Sequence, residues 1–171
     1  MSSDRPDPVI RIRKMTAEDL ASVIEIDQLS FSQPWPANSF HFELYNNPAA
    51  RLWVAEYVAP GEPKRIAGMT VIWLVIDEAH IGTIAVHPDY RRRGIAARML
   101  AHSLTRVREE GANIVFLEVR RSNLSAQALY RQFGFYLFDE RKGYYQDNGE
   151  DALIFVLDHL QTRDFSRTDG R

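Results

Sequence analysis

The 171 residues include no cysteine, which excludes disulfides and closes any acyl-cysteine route to group transfer. No apolar run approaches the roughly 18 residues of a membrane span. The opening Met1 to Pro8 is polar, with Pro6, Pro8 and no apolar signal core, so a cytoplasmic protein without membrane contact is expected. A basic excess is missing too: 21 Lys and Arg against 23 Asp and Glu leave a net charge of −2, which argues against direct nucleic-acid binding. Any contact with a basic partner must then be local. The 5 histidines show no metal-ligand spacing, and His87 before Pro88 reads as a turn residue, so no metal is expected. Neither a repeat nor a linker interrupts the chain. The 45% hydrophobic content can therefore serve one core, and the expected organisation is a lead over 1–8, a single domain over 9–158 and a polar, fraying tail over 159–171.

What is present centres on Ile81 to Ala97, an apolar strand followed by a Pro turn, an arginine run and a glycine. A helix follows, because Ala97, Leu100, Leu104 and Val107 recur at spacings of three and four, and Gly111 ends it. A helix N-terminus offers unpaired N–H groups and the positive end of the macrodipole, so an anion before Gly94, Ile95 and Ala96 meets both attractions. Gly94 allows close backbone approach. Arg91, Arg92 and Arg93 either add charge to that site or are simply a solvated loop end.

Phe116 to Arg120 reads as a buried strand carrying Glu118, and Ser122-Asn123 then opens a helix through Ala126, Leu129, Tyr130 and Phe133, closed by Gly134-Phe135. Asn123, Ala126 and Tyr130 share one face of that helix. Upstream, Val9 to Arg13 alternates as a first strand, and Thr16 with Asp19 starts a helix through Leu20, Val23, Ile24 and Ile26. Phe31-Ser32-Gln33-Pro34-Trp35-Pro36 breaks it, and a second helix runs through Phe40 to Tyr45. Phe31 and Trp35 either plug the core or wall a cleft. Leu52 to Tyr57 and Arg65 to Val75 form a hairpin, and a third antiparallel strand ends at Ile84-Ala85-Val86. Ile114 to Val119 should lie parallel to that strand through a helical crossover, with further strands near Phe135 to Arg141 and Ala152 to Leu157.

Tyr90 to Ala96 resembles the acyl-CoA pyrophosphate loop of the GNAT N-acetyltransferase superfamily, Gln/Arg-x-x-Gly-x-Gly/Ala, with Ala96 in a position where many members carry glycine. Leu117-Glu118-Val119-Arg120, Ser122-Asn123, Ala128-Leu129-Tyr130, Gly134-Phe135 and Gly143-Tyr144-Tyr145 with Gly149 to Ala152 are similar to the RimI type, the ribosomal-protein-alanine N-acetyltransferases. The resemblance spans Ile10 to Leu157. It implies an α/β GNAT fold, a mixed sheet of six to seven strands flanked by about four helices. It also implies acetyl-CoA as cosubstrate and a protein N-terminus, that of a ribosomal protein, as acceptor, with a monomer or weak dimer acting.

If the two parallel strands splay, a pantetheine arm could pair with Ile84, Ala85 and Val86 much as a peptide adds to a sheet edge. Asn123 would bond the arm and Ala126 let it pass; plain N-capping explains Asn123 equally. Gly94 to Ala97 with the three arginines would hold the pyrophosphate. Glu118, partly buried, suits a proton acceptor, and the resemblance assigns it that role; the alternative is a strand glutamate in solvent or paired with Arg120. Tyr130 would protonate the departing thiolate, or merely pack against Phe133. Phe31, Trp35, Tyr144 and Tyr145 would enclose the acceptor, and the acids at 150 and 151 would attract a basic peptide, unless Asp147-Asn148-Gly149 is an ordinary turn with solvated acids. Lysine or small-amine acetylation, and a CoA-sensing or partner-dependent module, are the other readings.

Overall fold

The computed structural model describes residues 7–166. The outer parts of the expected lead and tail, 1–6 and 167–171, lie outside the described residues. Eleven regular elements follow in order: β1 (Val9–Lys14), α1 (Leu20–Ser30), α2 (Ala37–Tyr45), β2 (Ala50–Val58), β3 (Arg65–Val75), β4 (Glu78–Val86), α3 (Ile95–Glu109), β5 (Ile114–Arg120), α4 (Leu124–Gln132), β6 (Tyr136–Arg141) and β7 (Ala152–Leu157). The strands form one seven-stranded sheet in the order β1-β2-β3-β4-β5-β7-β6. Every neighbouring pair is antiparallel except β4 and β5.

Alternation along each strand divides the core in two. Trp53 and Ile72 face α3 and α4 and join Leu100, Leu104, Val107, Leu117 and Phe155. Their neighbours Val54 and Val71 point the other way, to Val23, Ile26 and Phe40 of α1 and α2. Leu100, Leu104 and Val107 are fully buried, as their spacing requires, and each such side chain stabilises the fold by about 1.5–3 kcal/mol. The Thr16 turn forms the expected box: its N–H donates to the Asp19 carboxylate at 2.8 Å, and Arg13 donates to the same carboxylate at 2.7 Å.

The parallel ladder is short. It pairs Glu78, Ala79 and His80 with Ile114, Val115 and Phe116 and then stops. Beyond His80 and Phe116, β4 and β5 diverge, and the gap between them is the slot described below.

The expected tail is corrected. Leu160 and Phe165 are buried in the main core, and the Leu160 N–H donates to the Asn113 carbonyl at 2.9 Å. Gly134 sits beside the Arg163 guanidinium. Two apolar side chains among polar neighbours suffice to hold this segment down, and the polar average of the segment concealed them.

The β3–β4 turn carries strain. Ile76 has φ +58° and is 89% exposed, a left-handed conformation that is an outlier for a β-branched residue. Ile76→Asn should therefore raise stability by about 1 kcal/mol, read as a Tm rise of roughly 2–4 °C. An unchanged or lower Tm would show that the turn is not strained.

Candidate active site

A cleft of about 600 Å³ opens where β4 and β5 part. Gly82, Thr83 and Ile84 form one side and Leu117 to Arg120 the other, with Asn123, which precedes α4, and Ala126 and Tyr130 of α4 completing the lining. Of the residues expected from sequence, Phe31, Trp35, Ile84, Glu118, Asn123, Ala126, Tyr130, Tyr144 and Tyr145 all line this one cleft.

The cleft passes between the two faces of the sheet. Leu117 and Val119 are buried on the α3 and α4 face, where Tyr130 packs against Phe135 and Phe155 at ring distances of 5.7 and 6.5 Å. Glu118, one residue out of phase, projects to the opposite face. A carboxylate and a phenol thus meet the same space from opposite sides. Burial pushes the Tyr130 phenol well above its ordinary range, so it stays a proton donor throughout the neutral range.

Glu118 is not paired with Arg120. Its Oε2 lies 2.6 Å from Nε2 of His80, a residue that spacing alone did not single out. His80 stacks on Phe116 at 4.4 Å and meets the edge of Trp73 at 5.3 Å. Trp73 in turn stacks parallel to Trp35 at 5.8 Å and donates its indole N–H to Glu43 at 2.8 Å. Gly82 makes this possible, because a Cβ there would stand 2.7 Å from the Trp73 ring. The Trp35 N–H donates to buried Asp27 at 2.7 Å, and the Trp35 ring stacks on Phe40 at 5.1 Å. Trp35 therefore both seals the α1–α2 core and walls the cleft, so the two readings of it are not exclusive.

The loop over 142–151 covers the same mouth. Burial pushes the Tyr145 phenol up to about 12, against the opposing effect of the Arg120 guanidinium 3.9 Å above its ring. The acids of this loop are not solvated as a plain turn would leave them. Asp147 accepts from Ser32 at 2.5 Å and from Arg120 at 2.8 Å, and Glu150 accepts from the Ser122 N–H at 2.7 Å and from Arg120 at 3.3 Å. These partners hold both carboxyl groups below their ordinary range.

Ala85, Val86 and Arg91 to Ala97 lie outside the cleft lining, at the end of β4 and the start of α3. Gly94 is the residue before α3, with φ +72° and no side chain capping the helix. Arg92 is also left-handed, at φ +62°. Left-handed residues at Arg92 and Gly94, on either side of Arg93, can turn the backbone N–H groups between and after them toward one concavity, the geometry that holds anions. Arg91 is fixed by the Val86 carbonyl at 3.0 Å, and Arg93 lies over Tyr57 and Tyr90 at 5.7 and 5.6 Å. Asn123 caps α4, accepting from the Ala126 N–H at 3.2 Å, while also lining the cleft.

The family model for the acetyltransferase (GNAT) family matches residues 20–135, which include the α3 loop, Glu118 and Tyr130. The chain belongs to the GNAT family. Within it, the chain is 41% identical over 143 residues to a Bacillus subtilis protein named as a candidate [ribosomal protein bS18]-alanine N-acetyltransferase, with 84% of this chain and 91% of the relative covered. The crystal structure of the Escherichia coli ribosomal-protein-S18-alanine N-acetyltransferase superposes with a TM-score of 0.77 at 30% identity, over 88% of this chain and 94% of that one. Arabidopsis thaliana NAA60 in complex with acetyl-CoA shares the fold, with a TM-score of 0.78 at 20% identity over 88% and 98% of the two chains. As a GNAT acetyltransferase with a mixed seven-stranded sheet and four helices among the described residues, the chain meets the expectation drawn from its motifs. Within those residues no helix is long and apolar enough to cross a membrane, and no group of acids and histidines could hold a metal ion.

Proposed function

We propose that this GNAT acetyltransferase transfers acetyl from acetyl-CoA to the α-amino group of a protein N-terminus, the N-terminal alanine of the small-subunit ribosomal protein bS18. The observation that carries the reading is the placement of Glu118 and Tyr130 on opposite sides of one slot in the sheet. The names of the relatives supply the acceptor. Ribosomal proteins and acetyl-CoA as substrates make the cytoplasm the expected compartment.

In this reading the pyrophosphate rests on the N–H groups of Gly94 to Ala97, with Arg91, Arg92 and Arg93 adding charge. The pantetheine arm pairs with the edge of β4 that β5 leaves unpaired at Ile84 to Val86 and runs past Asn123 and Ala126. The peptide enters between Phe31 and Trp35 on one side and Tyr144 and Tyr145 on the other. The free amine attacks the thioester carbon, the C–N bond forms and the C–S bond breaks. Glu118 takes the proton lost by nitrogen, directly or through a water, and Tyr130 gives one to the sulfur. Solvent then removes the first proton and restores the second. An α-amino group with pKa near 8 is about one-tenth neutral at pH 7, so a single carboxylate is base enough.

Two tests follow. Peptides with a free N-terminal alanine and no lysine, and N-blocked peptides with an internal lysine, should be incubated with acetyl-CoA and weighed by mass spectrometry. An acetyl group gained on the free N-terminus alone supports the proposal; acetyl on lysine alone refutes it. The second concerns His80, whose Nε2–H would hold the Glu118 carboxylate in line. His80→Phe keeps the ring stack and loses that bond, so kcat should fall by about tenfold or more with acetyl-CoA affinity retained. An unchanged kcat would remove His80 from the site.

A further inference from the structure

Arg120 follows Glu118 on the same face of β5, and its guanidinium gathers both loops that frame the cleft mouth. One nitrogen, Nη2, donates to Asp147 at 2.8 Å and to Ser32 at 3.3 Å. The other, Nη1, donates to Asp147 at 3.1 Å, to Glu150 at 3.3 Å and to Asn148 at 3.3 Å. Its planar face covers Tyr145 at 3.9 Å. Ser32 belongs to the loop that carries Phe31 and Trp35, and its hydroxyl also donates to Asp147. One side chain of the central sheet therefore ties the α1–α2 loop to the β6–β7 loop across the opening.

We infer that Arg120 is a positioning residue for the acceptor, holding the two aromatic walls at a fixed separation so that an entering N-terminus is aimed at Glu118. This rests on the acceptor assignment proposed above. The arrangement needs a planar fork with several donors in one plane, because two carboxylates, a hydroxyl and an aromatic face are served at once. A lysine is a point charge on a flexible stem and cannot serve them together. The side chains of Arg120, Asp147 and Glu150 are 21%, 23% and 15% exposed, so the three lie against one another at the rim of the cleft. The same pairing spends the negative charge of the loop internally. Asp151 is held in turn by Lys142 at 3.2 Å and Arg121 at 3.5 Å, so the mouth selects by shape and by the reach of the N-terminus more than by the attraction of a basic peptide to Glu150 and Asp151 that the sequence suggests.

The test combines Arg120→Ala, Arg120→Lys and Ser32→Ala with two readouts. The first is amide hydrogen exchange over 31–36 and 142–151. The second is the separation of acceptor KM, kcat and acetyl-CoA Kd with the alanine-terminated peptide. In Arg120→Ala both loops should exchange faster with the rest of the sheet unchanged, and the acceptor KM should rise by about tenfold or more while acetyl-CoA Kd stays within about twofold. Arg120→Lys should rescue neither, and Ser32→Ala should show a smaller effect of the same kind. Unchanged exchange in either loop of Arg120→Ala overturns the inference, as do loosened loops with an unchanged acceptor KM. If the wild-type protein acetylates no free N-terminus, the acceptor assignment fails, and the exchange result still decides whether Arg120 ties the loops.

Discussion

Glu118→Gln is expected to lower kcat by about a hundred- to ten-thousandfold with acetyl-CoA bound as tightly as before. The substitution keeps the size of the side chain and its place in the alternation of β5, so the buried Leu117 and Val119 on the other face are undisturbed. It removes the one carboxylate among the described residues that line the slot, the group that lies against His80 and is able to take a proton. The loss falls on kcat because the proton leaves nitrogen only as the C–N bond forms, and an interaction made only then contributes nothing to binding the ground state. Stopped assays of CoA release at saturating peptide, with calorimetric titration of acetyl-CoA, check both halves. A kcat within about threefold of the wild type would exclude Glu118 as the base.

Tyr130→Phe is the second large effect, with kcat reduced by about a hundredfold and acceptor KM little changed. The ring contacts with Phe135 and Phe155 survive the change, so the fold should too. What is lost is a donor aimed at sulfur as negative charge collects there. The raised phenol pKa gives this a pH signature. A group that must be protonated, and whose pKa lies above its ordinary value near 10, remains protonated across the assay range, so Tyr130 should add no basic limb to the kcat profile below pH 10. A limb below that pH which vanished in Tyr130→Phe would show a phenol that titrates lower than its burial implies, whereas a kcat unchanged in Tyr130→Phe would exclude Tyr130 as the acid.

Much of this architecture was legible from local pattern. The three-and-four spacing of Leu100, Leu104 and Val107 gave α3, and the apolar run around Glu118 gave β5. Gly94 and the arginines marked the left-handed turn before α3 because its geometry is local to a few residues. The contacts that complete the site were not local. His80 and Glu118 stand 38 residues apart and meet only through the parallel register of Glu78 to His80 with Ile114 to Phe116. Once β4 and β5 are read as parallel, a histidine three residues into β4 is a candidate neighbour, and that signal could have found it. Arg120 gave no such signal, since its partners come from the α1–α2 loop and from a loop between the last two strands. Leu160 and Phe165 were missed for a different reason: two apolar residues in a polar segment leave no periodicity to read.

The central claim is that acetyl moves within the slot between β4 and β5, and a structure with a bisubstrate conjugate, CoA joined through its sulfur to an alanine-terminated peptide, tests it most directly. The account predicts the pyrophosphate against Gly94 to Ala97, the pantetheine arm beside Ile84 to Val86, the sulfur within hydrogen-bond reach of Tyr130, and the alanine between Trp35 and Tyr145 with its nitrogen facing Glu118. A conjugate whose arm lay elsewhere, or whose sulfur and nitrogen both pointed away from Tyr130 and Glu118, would contradict it.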